Sequence, residues 1–169
     1  MKIFGTIELY GARFLYHFQT VFNAATYIEY LERTLRSYCP RKIYLIQDNA
    51  SYHKDRTVWS WFSDHRKHME VFNLPAYSPQ LNALERIWHH ARLHGTHNRY
   101  FATQDELHSA LTSTFRSIQR NPNKCKVIYD LMNNTDVVLF MQRYIAAGIG
   151  VLEILEHSNF SLSRTFVQY

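Results

Sequence analysis

Lys42-Ile43-Tyr44-Leu45-Ile46-Gln47, with Asp48 and Asn49 directly behind it, is the run whose reading decides the fold. It is apolar almost throughout and shows no polar–apolar alternation, the signature of a short strand covered on both faces. Such strands belong to sheets flanked by helices, and the neighbouring sequence supplies them. Upstream, Asn23 can cap a helix whose Ala24, Tyr27, Ile28, Leu31 and Leu35 recur at helical spacing, with Pro40 as its stop. Before that, the β-prone runs Ile3 to Leu9 and Phe14 to Phe18, separated by Tyr10-Gly11-Ala12, read as an antiparallel hairpin.

Downstream, a helix is expected over about 55 to 68, with Val58, Trp61 and Phe62 facing inward. Glu70 to Leu74 is the next short strand, stopped by Pro75, and a loop with Tyr77-Ser78-Pro79 leads to Asn82. Asn82 can cap a helix bearing Leu84, Ile87, Trp88 and Ala91 on one side. Thr103 and Glu106 form a capping-box pattern ahead of Leu107, Leu111, Phe115 and Ile118. The order β-β-α-β-α-β-α-α predicts an α/β fold, a mixed sheet with helices on both faces. Residues 1–120 read as one domain. Asn121-Pro122-Asn123 reads as a linker, and 121–169 as a helical C-terminal extension without an assigned role.

The composition is that of a globular chain: of 169 residues, 46% are apolar and 20% charged. With 12 Tyr, 11 Phe and 3 Trp, most of the rings must be core. The net charge of +5 and pI of about 9.2 suit a polyanionic partner such as DNA and equally suit an ordinary soluble protein. Cys39 and Cys125 form no zinc pattern and read as reduced thiols, which places the protein in the cytoplasm. The N-terminus lacks the apolar region of a signal peptide, and the apolar segment 137–152, broken by Gln142 and Arg143, is no membrane span.

Two acids carry the chemical reading. Asp48 ends the buried strand, where open α/β sheets hold ligands. Glu85 lies near the start of a helix, at the rim of its apolar stripe, and can point past the helix towards a strand end. Two carboxylates converging there suit a hard divalent cation. On spacing alone, however, an Asp-Asn pair after a strand reads as a turn, and a Glu in a first helical turn as dipole compensation.

The wording around the acids changes that balance. Leu45 to His53, read as LIQDNASYH, and Asn73 to Trp88, read as NLPAYSPQLNALERIW, closely resemble the DDE transposases of the mariner and bacterial insertion-sequence superfamily. Those enzymes have a DNA-x-x-H signature on a strand of a ribonuclease H-like fold. A leucine-proline-x-tyrosine-serine-proline loop follows, and then leucine-asparagine-x-x-glutamate entering a helix. The resemblance implies that Asp48 and Glu85 are the second and third acids of a catalytic triad. It implies two Mg2+ (or Mn2+) ions in a complete site, DNA (the transposon ends) as partner, and DNA cleavage with strand transfer as activity. Asn49 would orient Asp48 or a water, or simply shape a turn. His53 would contact phosphate or position a ligand, or make a structural hydrogen bond. Asn82 would cap the Glu85 helix. Ala76 and Ala83 stand where the family often has proline, and Gln80 where it often has an acid.

The family's first acid lies on a strand upstream of the hairpin with which this sequence opens. The expectation is therefore an N-terminally truncated domain with its first strand missing, inactive alone. Glu8 reads as a solvent-facing strand residue rather than a replacement ligand. The sheet edge left by that strand would be open, which motivates an alternative: a non-catalytic module pairing with a full-length transposase or a second copy. A ribonuclease H-like nuclease acting on RNA is the other alternative. His90, His94 and His97 have zinc-compatible spacing, but no cysteine or acid completes a set, so they read as polar surface or phosphate contacts.

Overall fold

The computed structural model describes residues 1–8, 11–75 and 82–125, together with the backbone of 164–168. Strands β1 (Lys2–Glu8) and β2 (Phe14–Gln19) form the antiparallel hairpin, with Lys2 opposite Gln19 and Ile7 opposite Phe14. Helix α1 (Ala24–Tyr38) follows, its start fixed by a capping box between Asn23 and Thr26. Then come β3 (Ile43–Gln47), a 3₁₀ turn at Ser51–Lys54, α2 (Arg56–Asp64) and β4 (Met69–Asn73). Helix α3 (Ala83–Ala91) runs into a π-helical turn at Arg92–Thr96 and is followed by α4 (Gln104–Gln119). The family-like loop residues Tyr77, Ser78 and Pro79 lie outside the described residues.

Helix α2 is shorter than expected. Asp55 caps it through the Thr57 amide, and after Asp64 the backbone closes into turns back to His65. At α4, Thr103 accepts from the Glu106 amide, but the Glu106 carboxylate reaches the Ala102 amide instead of the cap residue's own. The capping box is thus displaced by one residue. Nor is the Asn121 region a linker: Asn121 accepts from the Lys124 amide, and Cys125 is buried in the same core as α3 and α4.

A fifth strand, β5 (Arg164–Gln168), completes the sheet in the order β2-β1-β5-β3-β4. It pairs antiparallel with β1, Gly5 opposite Gln168, and parallel with β3, Val167 opposite Gln47. This corrects two expectations. The edge of β1 that a missing strand would leave open is occupied, and the tail contributes a strand to the centre of the sheet. The rest of the segment expected to be helical, 126–163, lies outside the described residues.

Strand alternation sends two cores to opposite faces of the sheet. On one, α1 and α2 bury Phe4, Leu45, Ile43, Met69, Tyr27 and Trp61. On the other, α3 and α4 bury Ile7, Ile46, Phe72, Leu84, Ile87 and Phe115. Helices therefore cover both faces, as the strand pattern predicts. Among the described residues no helix is long and apolar enough to cross a membrane.

Candidate active site

Asp48 leaves β3 at its carboxyl end and is held by its own turn. Its Oδ1 accepts from the Ala50 amide at 3.0 Å and lies 3.0 Å from His53 Nδ1. The same His53 nitrogen is 3.0 Å from the Asp48 carbonyl. A carbonyl only accepts, so Nδ1 carries the proton and donates to Asp48 through both oxygens. His53 is 1% exposed, wedged between Tyr27 and Tyr52 with ring centroids 4.4 Å from each. The 3₁₀ turn at Ser51–Lys54 is what brings it back over the strand end. The described polar contacts of this buried histidine are both to Asp48.

Asn49 ties its turn to the chain leaving the neighbouring strand. Its Nδ2 donates to the Leu74 carbonyl at 2.6 Å, while the Leu74 amide donates to Gln47 at 2.7 Å. These two bonds tie the exits of β3 and β4 together. Sequence reasoning missed the layer beneath. The Tyr27 hydroxyl donates to Gln47 Oε1, and Gln47 Nε2 donates to Asn73 Oδ1 at 2.9 Å. Gln47 is fully buried, so this chain fixes the residue preceding Asp48. The available signal is a lone glutamine ending an apolar run. Burial pushes the Tyr27 hydroxyl well above its ordinary pKa, with Tyr52, Tyr30 and the Asp48 charge adding to the shift. It stays a neutral donor.

Glu85 is half-buried in the first turn of α3. Asn82, 1% exposed, accepts from the Leu84 amide at 3.0 Å and so caps the helix as expected. The helix crosses β1 at Gly5, where a Cβ would meet Trp88 Cη2 at 2.7 Å and Leu84 Cδ2 at 3.2 Å. Gly5 is opposite Gln168, one residue beyond the Val167–Gln47 pair. The first turns of α3 therefore lie over the end of the sheet from which Asp48 emerges.

Glu8 is a correction. It is 6% exposed, not solvent-facing, and its Oε1 is 3.8 Å from Arg41. Burial, and then the charge of Glu8, push the Tyr38 hydroxyl above its ordinary range. Glu8 is opposite Thr165, which pairs with Leu45, so it lies three residues back from Asp48, about 10 Å along the sheet. It serves the opposite end. Among the described residues, no three His, Cys, Asp or Glu side chains converge as a metal cluster. Of the histidines considered for zinc, His90 and His94 are neighbours, with ring centroids 4.2 Å apart.

The fit to a hard cation rests on what is present. Asp48 supplies a carboxylate with one oxygen anchored by an amide and an imidazole, and Glu85 a second on a capped, sterically registered helix. Oxygen donors of this kind are what magnesium or manganese takes.

The sequence profile of the DDE superfamily endonuclease family matches residues 1–108. The chain is 24% identical over 123 residues to the transposable element Tcb2 transposase of Caenorhabditis briggsae, covering 66% of this chain and 44% of that protein. It is 37% identical over 78 residues to the insertion element IS630 uncharacterized 39 kDa protein of Shigella sonnei, covering 46% of this chain and 22% of that one. The chain thus spans less than half the length of these curated relatives. No solved structure is significantly similar to it.

Proposed function

Since the chain belongs to the DDE superfamily endonucleases, we propose that it is a transposase catalytic domain in which Asp48 and Glu85 hold divalent metal for phosphodiester cleavage and strand transfer on DNA. The observation that carries this reading is the construction of the Asp48 corner. A protonated Nδ1 of a buried histidine, a backbone amide and a buried Tyr27–Gln47–Asn73 chain all fix one carboxylate at a strand's carboxyl end. An acid that merely closed a turn would need only the amide.

Asp48 and Glu85 would hold the metal, which when bound lowers the pKa of an attacking water and stabilises the leaving oxygen. His53 donates to Asp48 and so holds the orientation of its carboxylate. Asn49 and Asn73 hold the β3 and β4 exits in register, and Asn82 sets where α3 begins. The antiparallel hairpin beside a parallel β3–β4 pair, with helices on both faces, supports a ribonuclease H-like sheet. In that reading β5 takes the central position between β1 and β3.

The deciding experiment is Mn2+ binding followed by electron paramagnetic resonance, alongside nicking of supercoiled plasmid in Mg2+ or Mn2+. Wild-type protein should bind Mn2+, and Asp48→Asn and Glu85→Gln should each weaken binding at least ~10-fold and abolish any nicking. Unchanged Mn2+ affinity in both variants overturns the assignment.

A further inference from the structure

The helix that carries Glu85 continues into a stretch with an unusual charge balance. From Arg86 to Gln104 the chain holds three arginines and four histidines and no acid. Arg86, Arg92 and Arg99 are all exposed, and so is His94. Three cations elsewhere are neutralised within the fold: Arg33 lies 3.5 Å from Glu29, Arg41 3.8 Å from Glu8, and Lys42 2.8 Å from Glu70. Neither Arg86, Arg92 nor Arg99 makes an ion pair with a described residue; Arg99 reaches only the Gly95 carbonyl, at 3.5 Å.

The local field is already felt within the protein. Burial first, and then His94, Lys124 and His89, push His90 down to about 4. At the end of the stretch Tyr100 is 91% exposed, a large ring open to solvent. The backbone here is set rather than extended: Gly95 sits so close to α4 that a Cβ would meet Thr114 Oγ1 at 2.9 Å, and His97 donates back to Arg92 at 2.8 Å. The cations are therefore presented by a fixed surface.

We infer that the exposed face running from Arg86 through the π-helical turn to Tyr100 is a seat for the phosphate backbone of duplex DNA. Arginines without acid partners among the described residues, on a stretch of chain free of acids, match a polyanion, and guanidinium forks suit phosphate oxygens. From Ala83 to Thr96 the helical segment is about 20 Å long, enough to face roughly six phosphates of one strand. The seat begins one residue after Glu85, so a strand lying along it leads to the candidate active site. This inference deepens the proposed function and rests on it for the choice of DNA.

The test is binding of a fluorescent duplex of about 20 base pairs by the whole chain without divalent metal, measured by anisotropy across a salt series. The combined variant Arg86→Ala, Arg92→Ala, Arg99→Ala should bind at least ~10-fold more weakly. Its slope of log affinity against log salt should shrink by about two to three, close to ~0.9 for each phosphate no longer neutralised. The corresponding triple lysine variant should bind within a few-fold of wild type. Arg33→Ala with Arg36→Ala, on α1 across the sheet, should change little. Should the triple alanine variant fail to fold, each single variant is expected to lower the slope by nearly one. An unchanged slope in the folded variants, equal loss from the α1 pair, or tighter binding to RNA of the same length overturns the inference. Mn2+ affinity of the wild type and of Asp48→Asn and Glu85→Gln is measured separately, in the absence of DNA. Failure of the seat is thereby distinguished from failure of the metal assignment.

Discussion

The two faces of the sheet are built from different materials. Under α1 and α2 the core is aromatic but threaded with hydroxyl bonds: Tyr27 to Gln47, Tyr30 to Thr6, and Tyr38 beside Glu8. Under α3 and α4 it is Ile, Leu, Phe and Ala, held mainly by shape. The first face carries Asp48 and specifies it by hydrogen bonds that permit one geometry. The second carries Glu85 and places it by packing, through the close fit of Trp88 and Leu84 on Gly5. Two halves of one candidate site thus depend on unlike forces, and variants can separate them.

The largest effect should come from the apolar face. Phe115 is fully buried and its ring meets those of Phe14, Tyr16 and Trp88. Phe115→Ala should cost about 3–5 kcal/mol, read from the denaturation midpoint in urea. A loss well under about 2 kcal/mol would mean that this core is loosely packed and cannot be what registers α3.

On the polar face, Gln47→Leu strands the Tyr27 hydroxyl and the Asn73 Oδ1 acceptor, at about 1–3 kcal/mol. Adding Tyr27→Phe should recover part of that loss, because removing both partners of a buried hydrogen bond costs less than removing one. A strictly additive double variant would show that the two side chains are not coupled. Gly5→Ala sharpens the contrast. The added methyl must displace Trp88, at about 1–3 kcal/mol, and the displacement is transmitted to the Glu85 turn. Mn2+ affinity should therefore fall in Gly5→Ala more than in Asn82→Ala, which removes about 1 kcal/mol of capping but no register.

The difference between the faces also explains what is legible in the sequence. Helical periodicity and caps reveal α1, α2, α3 and the docking stripe Leu84–Ile87–Ala91, because apolar packing writes itself as spacing. The strand Ile43–Gln47 is equally plain. What spacing cannot show is pairing between distant segments. The entry of β5 between β1 and β3 depends on backbone hydrogen bonds that leave no side-chain pattern in five residues, and so that edge reads as open. Glu8 misleads for a related reason: an acid on a short strand looks solvent-facing until Arg41, just past the far end of α1, is folded beside it. At the site, Asp48 and Glu85 are named by their motifs, but the Tyr27–Gln47–Asn73 chain joins three elements and is written in none of them.

The smallest effect is a pH dependence, and it too differs between faces. Tyr27, Tyr30 and Tyr38 all have hydroxyls pushed above the ordinary value of 10, chiefly by burial. The folded state then keeps protons that the unfolded chain releases above about pH 10, so stability is complete below that value and declines as pH rises beyond it. His90, in the last turn of α3, works in the other direction. Lowered to about 4 from 6.5, it stays neutral while the unfolded chain takes up a proton, so stability declines as pH falls from 6.5 towards 4. Thermal melts across both ranges should show the alkaline loss reduced in Tyr38→Phe and the acid loss reduced in His90→Gln, each leaving the other limb unchanged. If either variant moved both limbs, the faces would not be independent. The separate holding of Asp48 and Glu85 would then be the wrong description of this sheet.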